Sequence, residues 1–275
     1  NHFANFSCCC LVTAICGDDI RWVGNESGKG RESEWNVTPL APKVYANAMQ
    51  LRKELGIDEV TRDLGSRELI SKAKELFWYA SETDVSIRPG WFYHESQNNH
   101  VRSLKNLVDI YFSSVGSNSS LLLNIPPTLE GKVHPTDSIR LKEFGDYIRA
   151  AFAEDYAMGG DKNLKVEQGG SVTLDVKKGA KVNTIMVQED IAKGQRVESF
   201  KAELLIGGQW IEIGRGTTIG YKRLRITHAQ VFEVKHFAQY CTARAGDPPE
   251  LRQHCPHLRR HRRCAALGLP AGFRH

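Results

Sequence analysis

The sequence predicts a parallel α/β fold followed by an antiparallel β-sandwich. Three observations carry this. Strand-like and helix-like segments alternate up to about residue 158. Beyond Met158-Gly159-Gly160 the helical spacing stops and short strands crowd together. The composition, with 25% charged and 41% hydrophobic residues in 275, is that of a globular chain large enough to bury a real core.

The elements follow in order. Residues 19–26 (DIRWVGNE) predict a short strand running into a loop. Residues 41–56 and 66–80 have helical spacing and good helix formers. Residues 83–88 (TDVSIR) predict a strand that Pro89-Gly90 stops. Residues 101–116 place Val101, Leu104, Val108 and Tyr111 on one helical face, with Gly116 as a natural C-cap. The apolar run 120–126 (SLLLNIP) predicts a buried parallel strand. Thr136 or Asp137 can cap the next helix, which carries Ile139, Phe144, Ile148 and Phe152. Residues 171–176, 182–189, 199–206, 209–216 and 222–227 all predict strands, and Gly207-Gly208 signals a hairpin. The organisation expected is an α/β domain over 1–155, a sandwich over 160–230 and a basic, disordered tail over 231–275, with the boundary near 155–165.

The formal net charge of +5 is concentrated at one end. From Lys235 onward eight basic side chains face only Asp247 and Glu250, so the rest of the chain is close to neutral. Charge therefore gives no argument for nucleic acid or a membrane as partner. No run of about 20 apolar residues predicts a membrane-spanning helix. The seven cysteines lie at the two ends (Cys8, Cys9, Cys10, Cys16; Cys241, Cys255, Cys264), unlike a disulfide framework. Cys255, His257, His261 and Cys264 could ligate zinc, but a paired C-x₂₋₄-C is missing, and an irregular tail explains them more simply. Residues 1–16 have no initiating Met or basic n-region. They read either as a buried strand or as sequence outside the fold. No cofactor or metal is expected.

In parallel α/β barrels the chemistry sits at the C-terminal ends of the strands. Here those ends are followed by Arg21, Trp22, Asn25 and Glu26, then by Arg88, Trp91, Tyr93 and His94, then by Asn124. Aromatic rings stack on sugar CH faces, while Asn, Arg and carboxylates hold hydroxyls, so this set is consistent with a carbohydrate site. Glycosidic cleavage needs two carboxyl groups, and Glu26 is the best candidate for a raised-pKa acid. Plainer readings stand beside these. Glu26 could be a solvated loop carboxylate, Trp22 and Trp91 core aromatics, and Arg88 a structural partner of Asp84 or Glu82. His94 and His134 read as ordinary polar residues. Asn5, Asn25, Asn36 and Asn118 match the N-glycosylation sequon, a match common by chance.

DIRWVGNESG (19–28), RESEW (31–35), DVSIRPGWFYH (84–94), LLLNIPP (121–127) and RLKEFGDYI (140–148) together resemble the α-L-fucosidases of glycoside hydrolase family 29. TIMVQEDIAKGQRVESF (184–200) and GTTIGYKR (216–223) resemble that family's C-terminal sandwich. RESEW favours the α-1,3/1,4-fucosidase subfamily. The resemblance spans about residues 18–227 and implies the C-terminal part of a (β/α)8-type barrel followed by the sandwich. It implies a retaining hydrolase of terminal α-L-fucose on glycans, with Glu26 as general acid/base and Trp22, Asn25, Arg88 and Trp91 as substrate-binding candidates. The family's nucleophile, an Asp in a WFDG-like segment, has no counterpart in these 275 residues. The expectation is therefore an inactive fragment that lacks the nucleophile. The partner expected is a fucosylated oligosaccharide or glycoconjugate, and the compartment secreted, periplasmic or lysosomal, although the chain carries no targeting signal. Two other readings remain: a non-catalytic, lectin-like sugar-binding sandwich, and a structural fragment without ligand.

Overall fold

The computed structural model describes residues 20–32, 34–43, 45–158, 169–191, 195–226, 232–243 and 266–267. The α/β part holds a parallel three-stranded sheet in the order β1 (Ile20–Trp22), β4 (Ala80–Ser86), β5 (Ser120–Asn124). The register pairs Arg21 with Ser81 and Trp22 with Glu82, then Asp84 with Leu122 and Ser86 with Asn124. A short antiparallel pair, β2 (Val37–Thr38) and β3 (Phe77–Trp78), lies beside it. Helices α1 (Ala48–Leu55) and α2 (Arg67–Lys72) separate β2 from β3 in the chain. Helix α3 (Leu104–Ser113) joins β4 to β5, and α4 (Pro135–Ala151) follows β5. The strand–helix alternation is thus present, as three parallel strands rather than a closed barrel among the described residues.

Several expected elements are shorter than their sequence patterns. Only 67–72 of the 66–80 segment is helical. Ser66 caps it by accepting the Leu69 amide, and Ala73 leaves in extended backbone. The aromatic run beyond has strand propensity, and Phe77 pairs with Thr38 with its ring buried against Tyr45. Helix α1 starts at Ala48 rather than at 41, and Gly56 ends it in left-handed backbone.

Helix α3 is capped by Ser103, whose hydroxyl accepts the Asn106 amide. Its sheet-facing side chains are Leu107 and Ile110, not the Val101/Leu104/Val108/Tyr111 stripe. Tyr111 turns instead toward α4, edge-on to Phe144. Gly116 is not the C-cap, because the helix ends at Ser113 and Ser114 caps it. It is a point of close approach, where an added Cβ would lie 2.4 Å from the Phe112 carbonyl oxygen and 2.9 Å from Leu224 Cβ. Neither Thr136 nor Asp137 caps α4. His134 does, its Nδ1 accepting the Thr136 amide, with Pro135 at the first helical position.

The second part is antiparallel. One sheet runs β10 (Gln209–Gly216), β9 (Val197–Ile206), β12 (Phe232–Ala243), β6 (Ser171–Asp175), with β7 (Lys181–Val182) also on β12. The other runs β11 (Arg223–Ile226), β8 (Thr184–Val187), β13 (Ala266–Leu267). Both central residues of the Gly207-Gly208 hairpin have positive φ, which lets the turn match the strand twist. Leu174, Val182, Ile185, Val187, Phe200, Leu204 and Ile219 form the core between the sheets. The tail expected from 231 does not include 232–243, which form β12 between β9 and β6. Residues 1–19 and the Cys255/His257/His261/Cys264 group lie outside the described residues.

A seam of buried polar groups joins the two parts. Asn118 donates through Nδ2 to the Glu34 carbonyl (2.8 Å) and accepts the Tyr221 amide at Oδ1 (2.6 Å). Gln195 accepts the Asn36 amide (2.8 Å) and donates to the Glu34 carbonyl and to Thr218. The Leu224 amide donates to the Gly116 carbonyl at 2.8 Å. Asn36 and Asn118 are buried in this seam, so these two sequons are closed to a glycan. No described helix is long and apolar enough to cross a membrane.

Candidate active site

Because β1, β4 and β5 are parallel, their C-terminal ends lie on one side of the sheet. Glu26 sits there, exposed, in the loop leaving β1. Asn25 shapes that loop: its Oδ1 accepts the Ser27 amide (3.1 Å) and its Nδ2 donates to the Lys29 carbonyl (3.2 Å). Trp91, from the loop leaving β4, donates Nε1–H to Glu26 Oε2 at 2.7 Å. The turn that presents Trp91 is itself held. Ser86 Oγ donates to the Gly90 carbonyl (2.7 Å), and Asn124 Nδ2 donates to Ser86 Oγ and to the Trp91 carbonyl (3.0 Å each). One residue from each strand end therefore contributes to fixing the Glu26–Trp91 pair.

Trp22 makes a second indole–carboxylate contact, donating Nε1–H to Asp84 Oδ1 at 2.8 Å. In β4, Thr83 and Val85 belong to the face approached by Gly28, Gly30 and α3. The strand's period of two puts Glu82, Asp84 and Ser86 on the opposite face. Asp84 is 5% exposed. Burial raises its pKa above the ordinary aspartate value, the Trp22 hydrogen bond lowers it, and the nearby Glu26 charge raises it again. Glu26 is thus close enough for its charge to act on Asp84.

The expected residues thus divide. Glu26, Asn25, Trp91 and Trp22 come together at the strand ends. Arg88 does not join them. Its side chain and that of Asp137 are each 0% exposed, and its Nε donates to Asp137 Oδ2 at 2.9 Å. It also donates to Asn98 Oδ1 (3.0 Å) and lies over the Tyr93 ring at 4.9 Å. Its partner is neither Asp84 nor Glu82. The chain bends after β4 and carries the guanidinium to the first turn of α4, where Asp137 waits. Trp35 is buried in the core and Trp78 belongs to β3. The sequence offers Asp84 as a partner of Arg88 and Asp137 as a helix cap; the structure sets Asp84 against Trp22 and Asp137 against Arg88 instead. The signal for Asp84 was the polar alternation Glu82, Asp84, Ser86 inside an otherwise strand-like run. Among the described residues no group of three or more His, Cys, Asp or Glu side chains could hold a metal ion.

Residues 17–151, which carry this whole arrangement, match the α-L-fucosidase family model. Over that segment the chain is similar to the α-L-fucosidase family. A crystal structure of a protein assigned as an α-L-fucosidase from Bacteroides ovatus superposes with a TM-score of 0.77 at 46% identity, covering 88% of this chain and 44% of that one. A protein assigned as α-L-fucosidase 1 of Oryza sativa subsp. japonica is 30% identical over 243 residues, 78% of this chain and 44% of the relative. A Ruminococcus gnavus family 29 fucosidase, solved in complex with fucose, superposes with a TM-score of 0.64 at 25% identity, covering 82% of this chain and 48% of that one. The chain therefore spans less than half the length of these relatives.

Proposed function

We propose that this chain supplies the acid/base side of α-L-fucoside hydrolysis, with Glu26 as the proton donor and acceptor. The observation that carries the reading is the Glu26–Trp91 contact of 2.7 Å at the C-terminal edge of the parallel sheet. Without such a clamp an exposed loop carboxylate would sample many rotamers. With it, one oxygen is fixed by an indole N–H and the other is left for the substrate.

The chemistry is double displacement. A carboxylate oxygen attacks C1 of fucose, the C1–O bond breaks, and the departing oxygen takes the proton of Glu26. Glu26 then removes a proton from water as that water attacks C1 and the C1–carboxylate bond breaks, and fucose leaves with its anomeric configuration retained. The attacking carboxylate belongs to a WFDG-like segment, which these 275 residues do not contain. The chain alone is accordingly proposed to be inert, and its substrate is a terminal α-1,3/1,4-linked fucose on a glycan. Secretion, or delivery to a periplasm or lysosome, fits that substrate.

The test is hydrolysis of an aryl α-L-fucoside by the 275-residue chain and by the same chain joined, in one polypeptide, to a relative's WFDG-bearing segment. Only the joined protein should release fucose. Glu26→Ala should remove that activity for poor leaving groups, and azide should restore part of it. Equal, small losses on good and poor leaving groups would show that Glu26 is not the acid. Turnover by the chain alone, abolished by Glu26→Ala, would mean that another carboxylate in it serves as nucleophile.

A further inference from the structure

A general acid gives its proton to the oxygen of the bond being cut, so the departing group must lie against that acid's carboxyl. Here the residue that holds Glu26 is Trp91, and the next residue, Phe92, is 78% exposed. A lone exposed phenylalanine on a loose loop would carry no argument. This one stands on a turn fixed from both sides. Before it, the Gly90 and Trp91 carbonyls accept from Ser86 and Asn124. After it, Tyr93 lies under the Arg88 guanidinium, with its ring centroid 6.0 Å from that of His134. A bare aromatic presented on a rigid turn is pre-organised, since little ordering remains to be done when something docks on it.

The surroundings select the kind of partner. The residue before Phe92 holds the Glu26 carboxylate, and the exposed residues that follow along the chain, His94, Glu95 and Ser96, are polar, so the ring is a single apolar face in a hydrogen-bonding stretch. A protein interface needs a larger contiguous apolar patch. A pyranose, with one CH face and a rim of hydroxyls, fits this pattern. Resting on the function proposed above, we propose that Phe92 is the stacking platform for the sugar from which fucose is cleaved. The leaving-group pyranose lies with its apolar face on the Phe92 ring while its linking oxygen meets Glu26.

The test is binding of N-acetyllactosamine, a defucosylated product, and of L-fucose to the 275-residue chain, followed by saturation-transfer NMR and calorimetry. Phe92→Ala should weaken N-acetyllactosamine by about fivefold to tenfold, the loss expected on truncating one anchoring aromatic. Phe92→Tyr should retain the affinity, and the affinity for L-fucose should change by less than about twofold in both variants. Because Phe92 is exposed, both variants should fold as the parent does. Unchanged N-acetyllactosamine affinity in Phe92→Ala overturns the platform. Binding of L-fucose but not of N-acetyllactosamine by the parent overturns the platform and leaves the fucosidase reading standing. Binding of neither by the parent likewise overturns the platform, and the fucosidase reading is then judged by the joined protein's turnover.

Discussion

Replacing Asp137 by Asn should destabilise the α/β part out of proportion to its single-atom change. Both side chains of the Arg88–Asp137 pair are 0% exposed and meet at 2.9 Å, so water cannot compensate for the lost charge. Removing one member of a buried pair typically costs about 3–5 kcal/mol, because the other charge stays behind. Against a domain stability of about 5–15 kcal/mol that is a large fraction. Asp137 also lies in the first turn of α4, where a negative charge gains about 0.3–1 kcal/mol from the helix dipole. Salt separates the two contributions, since it screens exposed charge and leaves a dry pair largely untouched. Urea unfolding followed by tryptophan fluorescence, at low and high salt, is the assay. Asp137→Asn should lose about 3 kcal/mol or more at both salt levels. The double change Arg88→Met with Asp137→Leu should recover at least half of that, because no unpaired charge remains. A loss below about 1 kcal/mol for Asp137→Asn would refute the reasoning, since that is the size of a surface pair.

Asp84→Asn should change the pH profile of stability. A folded-state aspartate pKa raised by burial gives a contribution that is full below the ordinary value of 3.8 and is lost as pH rises through the raised value. The Asn variant should therefore gain on the parent between acid and neutral pH, and a constant difference across that range in urea titrations would count against it. Asn118→Ala should cost about 2–4 kcal/mol, since it strands the Tyr221 amide, leaves the Glu34 carbonyl with only the longer Gln195 bond and removes a residue suited to its φ of 65°. In calorimetry that loss should also broaden or split the transition, and a single sharp unchanged peak would show that the seam does not couple the two parts. Gly116→Ala should cost about 1–3 kcal/mol through overpacking against Phe112 and Leu224, measurable as a lower urea midpoint.

Local patterns in the sequence carried the element types well where chain-local physics decides them. The Gly207-Gly208 hairpin and the 209–216 strand are examples, because turn chemistry and alternation act within a few residues. They failed where a distant partner decides. Phe77-Trp78-Tyr79 extends a helical pattern on paper, yet β2, forty residues away in the chain, makes it a strand. Of the α3 stripe chosen from sequence, Tyr111 meets Phe144 of α4 and Val101 precedes the helix, while Leu107 and Ile110 are the side chains it buries. In the site, Glu26, Trp22 and Trp91 were legible because strand ends announce themselves by turn residues and aromatics. The role of Arg88 was not, because nothing in the spacing of residues 88 and 137 tells that a bend brings them together.

The seam at Asn118 and Gln195 has a consequence for how this architecture can drift over generations. Its donors and acceptors are mostly peptide groups on the facing side: the carbonyl of Glu34 and the amides of Asn36 and Tyr221. Peptide groups are the same whatever side chain they carry. The joint therefore constrains two amide side chains and the path of three backbone segments, and places little demand on the identity of the residues it grips. Its hydrogen bonds therefore leave most gripped positions free to change, while close packing still holds Gly116 and Gly220. Loss of Asn118 or Gln195 has no such tolerance, because no substitution elsewhere in the seam restores both a donor and an acceptor at the same point.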